Sequence, residues 1–439
     1  MTADKPLSDT KGLVIAAPAS NSGKTVFTIG LVGALRAIGV NVEVAKAGPG
    51  YIDPQFLSLA LQRPCYNLDK WALGADQLRA RASAISSGRD LLLIEGMMGM
   101  YDGAASLEGS TADIAATLDL PVLLVVDASG QAQSIAALAH GFATLRERPK
   151  LCGIIATRIG SVRHGELLDE ALKETGIPLL GTVLRSDALT IPSRHLGLVQ
   201  AIERDEPAQL VNAARDAVTE GVDLDAILAA AAPVRPEHDV KPLRPLGQRI
   251  AVARDLAFAF AYPHILDDWR RLGAEITFFS PLLDEAPDPT CDAIYLPGGY
   301  PELHCETLAQ ANTFLSGLRR AADRWARIYG ECGGYMVLGR ALIDAAGHPH
   351  AMAGLLDHVT SFADRQMHLG YRTLIPQQND FWTEPLHGHE FHYSVLHDAG
   401  TDEPLFRHSD AQGKDLGAIG GQRGTVMGSY AHVIDRAPS

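Results

Sequence analysis

The sequence predicts an α/β protein of two successive layered domains, and three observations carry that prediction. Strand-length apolar runs alternate with longer amphipathic stretches through the first half; a proline-rich break follows at 233–247; the same alternation then restarts. Continuous apolar strands separated by helices imply a parallel sheet covered on both faces. At 439 residues the chain exceeds the size at which one hydrophobic core stops growing, which also favours two domains.

In order, the expected strands of the first half are 13–16, 42–46, 91–95, 122–126, 153–157 and 179–183, with helices between them. The helical pattern runs to about residue 232. Pro233, Pro236, Pro242 and Pro245 then fix φ repeatedly, giving a semi-rigid linker at 233–247 between domains 1–232 and 248–439. Beyond it, strands are expected at 249–253, 275–279 and 293–296.

Composition narrows the function classes. A formal charge of −14 argues against sequence-independent binding to nucleic acid or to an anionic membrane, because both need basic surface. Five cysteines, Cys65, Cys152, Cys291, Cys305 and Cys332, are odd in number and lack CxxC spacing, so neither a disulfide framework nor a zinc site is indicated. The first eleven residues are polar, without the apolar core of an export signal, and the longest apolar runs are strand-sized. A soluble, cytoplasmic protein is the expectation.

The first strand runs into Ala17-Pro-Ala-Ser-Asn-Ser-Gly-Lys-Thr25 and then a helix, the setting of a phosphate-binding loop. Ser22, Gly23, Lys24 and Thr25 form its specific end: backbone N–H groups cradle phosphates, Lys24 reaches the β and γ phosphates, and the Thr25 hydroxyl ligates Mg²⁺. ATP and Mg²⁺ are therefore expected. Pro18 stands where the usual motif has its first glycine, which marks a variant subclass. Glu95 ends an apolar strand where a second metal-binding carboxylate sits, and Asp53 lies just past another strand on the edge where open α/β sheets bind ligands. Each carboxylate alone is equally well read as a helix cap or surface charge. Tyr51 and Asp102 are candidates for substrate contact near that edge, with an Asp-Gly turn the alternative for Asp102. Asp127, ending the next strand, is either a nucleotide contact or a cap.

In the second half a strand at 327–330 enters Glu331-Cys-Gly-Gly-Tyr-Met336, followed by an apolar helical pattern, so Cys332 sits on a sharp strand-to-helix turn. A helix N-terminus there is expected to lower the thiol pKa and favour a nucleophilic thiolate. The other four cysteines read as inert and buried. Upstream, Pro297-Gly-Gly-Tyr-Pro-Glu302 holds two glycines; with the amide of Gly333, that of Gly299 could form an oxyanion hole. His432, in Gly428-Ser-Tyr-Ala-His-Val-Ile434, is the first choice among sixteen histidines for the general base. His387, His389 and His392 cluster in sequence, but their spacing matches no metal motif, and a structural or substrate-contact role is preferred.

Taken together, Ser-Gly-Lys-Thr, Gly-Pro-Gly-Tyr-Ile-Asp-Pro, Glu-Gly-Met-Met-Gly-Met-Tyr-Asp-Gly, Arg194-His-Leu-Gly-Leu, Pro-Gly-Gly-Tyr-Pro-Glu, Gly-Glu-Cys-Gly-Gly-Tyr-Met and Gly-His-Glu-Phe-His-Tyr-Ser span nearly the whole chain. In that order they resemble the cobyrinic or hydrogenobyrinic acid a,c-diamide synthases of cobalamin biosynthesis. The resemblance implies a dethiobiotin-synthetase-like P-loop domain followed by a class I glutamine amidotransferase domain with a Cys–His pair. It further implies that Cys332, activated by His432, releases ammonia from glutamine through a thioester. ATP and Mg²⁺ would convert two corrin acetate carboxylates, a and c, into acyl phosphates that ammonia captures. Glutamine, ATP and a corrinoid are the implied partners, in a homodimer. The residues do not separate a cobalt-containing from a metal-free corrinoid; the Ala-Ala-Pro-Ala-Ser opening and the length lean toward hydrogenobyrinic acid. Another corrinoid amidotransferase, such as cobyric acid synthase, is the nearest alternative, and a P-loop regulatory ATPase with an inactive glutaminase module a distant one. Two departures stand out: Gly50 replaces an Asp common in the family, and Ile434 occupies the position of the third, acidic member in triad glutaminases.

Overall fold

The computed structural model describes residues 10–191, 193–194, 197–198, 207–237, 240–377 and 380–438. Residues 1–9 of the polar start, and His195 and Leu196 of the motif beginning at Arg194, lie outside the described residues. The chain forms two compact units, Met1–Lys241 and Pro242–Ser439, dividing within the proline-rich stretch.

The first unit runs β1 (Lys11–Ala16), α1 (Lys24–Ala37), β2 (Val42–Ala47), α2 (Ile52–Leu61), β3 (Tyr66–Leu68), α3 (Lys70–Ser86), β4 (Leu91–Glu95), α4 (Thr111–Leu118) and β5 (Val122–Asp127). It continues through α5 (Ile135–Thr144), β6 (Leu151–Ile159), α6 (Val162–Leu172), β7 (Leu179–Leu184), β8 (Ser193–Arg194), β9 (Gly197–Leu198), α7 (Pro207–Gly221), α8 (Leu224–Ala230) and β10 (Ala232–Pro233). The main sheet has the order β3-β2-β4-β1-β5-β6-β7, all parallel, with β10 antiparallel to the start of β1 through Lys11↔Pro233 and Gly12↔Ala232. The first residue of the expected linker, Pro233, is thus sheet rather than tether.

The apolar runs behave as their period of two demands. Leu13, Ile15, Leu91, Leu93, Leu123 and Val125 face one core, while Val14, Ala16, Leu92, Ile94, Leu124 and Val126 face the other. Each such Leu, fully buried, contributes about 2 kcal/mol of hydrophobic stabilisation. Because both faces are covered by helices, the C-terminal strand edge is where loops gather. The chain passes from β1 to β2 on one side and later to β5 on the other, making the end of β1 a topological switch point, where such sheets bind ligands.

The second unit opens with β11 (Arg249–Ala253), α9 (Pro263–Arg271), β12 (Glu275–Phe279), β13 (Ala293–Leu296), α10 (Cys305–Gln310), α11 (Asn312–Asp323), β14 (Arg327–Glu331) and α12 (Gly333–Leu338). Short strands follow: β15 (Ala341–Ile343), β16 (Pro349–Ala351), β17 (Val359–Ser361), β18 (His368–Pro376), β19 (Leu386–His392), β20 (Val395–Asp398), β21 (Phe406–Asp410), β22 (Asp415–Ile419), β23 (Gly421–Arg423), β24 (Val426–Ser429) and β25 (His432–Arg436). The central sheet, β12-β11-β13-β14-β24-β23, is parallel except for β23. Two further sheets, β16-β15-β17-β20 and β22-β21-β18-β19-β25, make the later part of this unit β-rich. Among the described residues no helix is long and apolar enough to cross a membrane.

Candidate active sites

At the edge of the first sheet, α1 begins at Lys24 after Gly23 turns the loop with φ 86°. The loop is tied down by Thr157 Oγ1, which donates to the Ser22 carbonyl at 2.9 Å, and by the Met100 N–H, which donates to the Ala17 carbonyl at 2.7 Å. Lys24 donates from Nζ to the Met98 carbonyl at 2.7 Å. Burial and the neighbouring Lys46 ammonium pull its pKa down to about 8, against the opposing pull of Glu95, Asp53 and Asp102.

The carboxylates meet at Lys46. Parallel pairing sets Lys46 of β2 beside Glu95 of β4, and its ammonium lies 2.7 Å from Glu95 Oε1 and 2.6 Å from Asp53 Oδ2. Burial opposes the Lys46 charge, but the two carboxylates outweigh it and raise its pKa. Thr25 Oγ1 donates to the same Glu95 oxygen at 2.8 Å. Glu95 Oε2 is buried without a hydrogen bond, leaving an acceptor with its lone pairs unused. The oxygens of Thr25, Asp53 and Glu95 therefore fit a hard divalent cation. Asp102 accepts from the Gly99 N–H at 2.8 Å and acts on Lys24 through its charge. Tyr51 is the residue before α2, and Asn67 braces that loop by donating to the Gly48 and Gly50 carbonyls at 2.8 Å each. Asp127 is turned to Arg158 and to the Ser129 N–H instead.

In the second unit Cys332 stands between β14 and α12 with φ 48° and ψ −106°, a strained conformation for a non-glycine residue. Its N–H donates to the Ser429 carbonyl at 2.8 Å, which locks the elbow to β24. A β-carbon placed on Gly298 would fall 3.1 Å from Cys332 Cβ, 3.1 Å from His432 Nε2 and 2.3 Å from His432 Cε1. Only glycine fits at 298, and thiol and imidazole converge on that point. A β-carbon on Gly333 would lie 3.2 Å from the Gly299 nitrogen, so the two amides expected to form an oxyanion hole are neighbours.

The thiol pKa moves opposite to the sequence expectation. Burial, then the Glu302 carboxylate, pushes Cys332 up, and the Gly333 N–H recovers only part of that shift. Desolvation outweighs the N-terminus of a helix only six residues long. His432, buried likewise and facing His389 and His392, is pulled down to about 3. Burial thus favours the neutral form of both thiol and imidazole.

Residues 13–199 match the family described as the CobQ/CobB/MinD/ParA nucleotide binding domain, and residues 249–438 match the CobB/CobQ-like glutamine amidotransferase domain. A protein from Sinorhizobium sp named hydrogenobyrinate a,c-diamide synthase is 52% identical over 429 residues, covering 97% of this chain and 99% of that protein. The chain belongs to the hydrogenobyrinate a,c-diamide synthase family. Members from Rhizobium meliloti (strain 1021) and Brucella anthropi are 50% and 51% identical, each over 97% of this chain and over 99% and 98% of their own lengths. It joins a nucleotide-binding module to a glutamine amidotransferase module, and it is a glutamine-dependent amidating ligase of cobalamin biosynthesis.

Lys46, Asn67, Thr157 and Glu331 stand at these candidate sites although sequence reasoning gave them no role there. Lys46 had a signal, since a lysine closing an apolar parallel strand must meet an anion; the others are brought in by pairing partners far along the chain. Glu331 accepts from Tyr295 Oη at 2.7 Å and the Val433 N–H at 3.0 Å, and its Oε2 lies 3.9 Å from His432 Nδ1.

The histidine-rich strand β19 holds a buried charge network. Glu390 Oε2 accepts from Arg372 Nε at 2.6 Å, and Oε1 meets His392 Nε2 at 2.8 Å, with His392 stacked on Tyr430. The ligating atoms of His368, Glu390 and His392 lie within 4.8 Å of one another. The direct His392–Glu390 contact and the guanidinium on the other oxygen describe an ion-pair network. Burial works against the Glu390 charge, but His392 and Arg372 outweigh it and hold the pKa near 2. Because the folded pKa is depressed, the stabilisation, roughly 3 kcal/mol, is present above the unfolded carboxylate range and lost as pH falls from about 4.5 toward 2. Glu390→Gln is therefore expected to lower stability at pH 6 by that order, and by under about half as much at pH 3. Denaturant unfolding at the two pH values checks this; an unchanged gap would contradict it.

Proposed function

We propose that the second unit hydrolyses glutamine at Cys332 and that the first unit uses ATP and the released ammonia to amidate the a and c acetate carboxylates of hydrogenobyrinic acid. The observation that carries this reading is the convergence of Cys332 and His432 on Gly298, beside the Gly299 and Gly333 amides, in a chain that also has the Lys24–Thr25–Glu95 site.

The Cys332 proton passes to His432 as sulfur bonds to the glutamine carboxamide carbon, and the resulting oxyanion accepts from the Gly299 and Gly333 N–H groups. The C–N bond breaks, with His432 returning its proton to the departing ammonia. Water then attacks the thioester, again with His432 as base, and glutamate leaves.

In the first unit a substrate carboxylate oxygen attacks the γ-phosphorus of ATP, ADP leaves, and ammonia displaces phosphate from the acyl phosphate to form the amide. Ser22, Gly23 and Lys24 hold the phosphates, with Lys24 opposing the charge that develops on the transferring group. Mg²⁺, held by Thr25, Glu95 and Asp53, would neutralise phosphate charge during transfer. Lys46 keeps Asp53 and Glu95 in place, and Tyr51 and Asp102 contact the substrate end of the site. Five free cysteines suit a reducing cytoplasm, and a homodimer is the assembly we assign.

Mass spectrometry of products from hydrogenobyrinic and cobyrinic acids, with ATP, Mg²⁺ and glutamine, tests the substrate and the number of amidations together. A doubly amidated hydrogenobyrinic acid is expected. A singly amidated product, or turnover of the cobalt-containing acid alone, would overturn the assignment.

A further inference from the structure

The position that holds an acid in triad glutaminases is Ile434 here, and its carbonyl accepts from His264 at 3.0 Å. A different residue brings a carboxylate to the same imidazole. Glu331 closes β14, one residue before the nucleophile, and is fully buried. Parallel pairing of β14 with β24 through Glu331↔Ser429 sets the end of β14 beside the chain that leads into β25, where His432 is the first residue. Glu331 Oε2 lies 3.9 Å from His432 Nδ1, while Nε2 and Cys332 Cβ each lie 3.1 Å from the point that a β-carbon on Gly298 would occupy. The carboxylate is held from two sides: Tyr295 Oη of β13 donates to Oε2 and the Val433 N–H of β25 donates to Oε1. The bond to Val433 fixes the carboxylate to the residue next to the base.

From this geometry we infer that Glu331 is the positioning acid of the glutaminase, supplied from before the nucleophile rather than after the base. The inference rests on the reading of Cys332 and His432 given above. As His432 Nε2 takes the Cys332 proton, the ring becomes an imidazolium in a site where burial, His389 and His392 all oppose its charge. A carboxylate 3.9 Å from Nδ1 favours that charged form through its field, leaving Nε2 as the nitrogen that takes the proton. When ammonia leaves with the proton, the imidazole returns to neutral and Glu331 remains a carboxylate throughout.

The groups facing Glu331 are Tyr295 from β13, Tyr329 from its own strand, and Val433 and His432 from β25; beyond His432 stand His389, His392 and Glu390. Burial pushes Glu331 up to about 7 against the hydrogen bonds of Tyr295 and Val433. Glutamine hydrolysis should therefore rise with pH through the neutral range as Glu331 ionises.

Glu331→Gln in the full chain is the test, because glutamine keeps the size and an oxygen acceptor while removing the charge. The expected result is a fall in kcat for glutamine hydrolysis on the order of 10²-fold, with KM for glutamine within about twofold and amidation from ammonium salts intact. The neutral-range rise in the pH profile should flatten. Glu331→Asp, which keeps the carboxylate, should recover at least about tenfold of the loss. A Glu331→Gln enzyme with kcat within twofold of the parent would overturn the inference. So would a loss shared by the ammonium-driven reaction, an unaltered pH profile, or a Glu331→Asp enzyme no better than Glu331→Gln. Cys332→Ala run alongside separates the two levels: if it too retains glutamine hydrolysis, the underlying glutaminase assignment fails; if it does not, only the role of Glu331 is at issue.

Discussion

Cys332→Ala is expected to lower glutamine-driven amidation by at least about 10³-fold, while amidation from ammonium salts continues. The thioester needs sulfur, and no other cysteine can supply it. Of the five cysteines, Cys332 is the one at the strand-to-helix elbow beside Gly298 and His432, and Cys65, Cys152, Cys291 and Cys305 do not share that point. The buried thiol sharpens the expectation. Because burial favours Cys332 as a thiol, its alkylation by a neutral electrophile should speed up as pH rises. Product formation with the two nitrogen sources, measured side by side, decides the matter. Loss of both activities in a folded variant would refute the division of labour between the units.

Lys24→Ala should have the mirror effect, stopping amidation from glutamine and from ammonium alike by on the order of 10²-fold or more, with glutamine hydrolysis still measurable. Lys24 reaches the Met98 carbonyl beside the Thr25–Glu95–Lys46 network, and the proposed reading gives its ammonium the task of opposing charge on the transferring phosphate. Burial and repulsion from Lys46 hold its pKa at about 8, below its unfolded value. Its charge therefore opposes folding at neutral pH, and that penalty fades as pH rises through 8 toward 10.5. Lost turnover is read as lost chemistry where the thermal midpoint of the variant matches that of the parent. ATP-dependent turnover at the parental rate would remove Lys24 from the phosphate site.

Much of the first unit was legible because its signals are local. An apolar strand, a Ser-Gly-Lys-Thr turn and a helix follow one another in sequence, and burial on both faces of a parallel sheet demands the continuous apolar runs at β1, β4 and β5. The cysteine elbow was legible for the same reason, as strand, nucleophile and glycines are contiguous. The β-rich part from β15 to β25 was not, since its strands are three to nine residues long and owe their pairing to distant partners. The pKa of Cys332 was misjudged because the sequence reveals a helix N-terminus but not the depth of burial that outweighs it.

The sequence by itself determined the order of the two modules, the Ser-Gly-Lys-Thr loop between strand and helix, and the cysteine elbow, since each is a short run whose backbone geometry follows from its own residues. Only the tertiary structure decided which charges answer them. Lys46 stands between Asp53 and Glu95 because β2 pairs with β4, and Glu331 stands behind His432 because β14 pairs with β24 and the chain then turns into β25. Electrostatic partnership acts through space at a few ångströms in a desolvated interior, and which residues come that close is fixed by strand register rather than by distance along the chain.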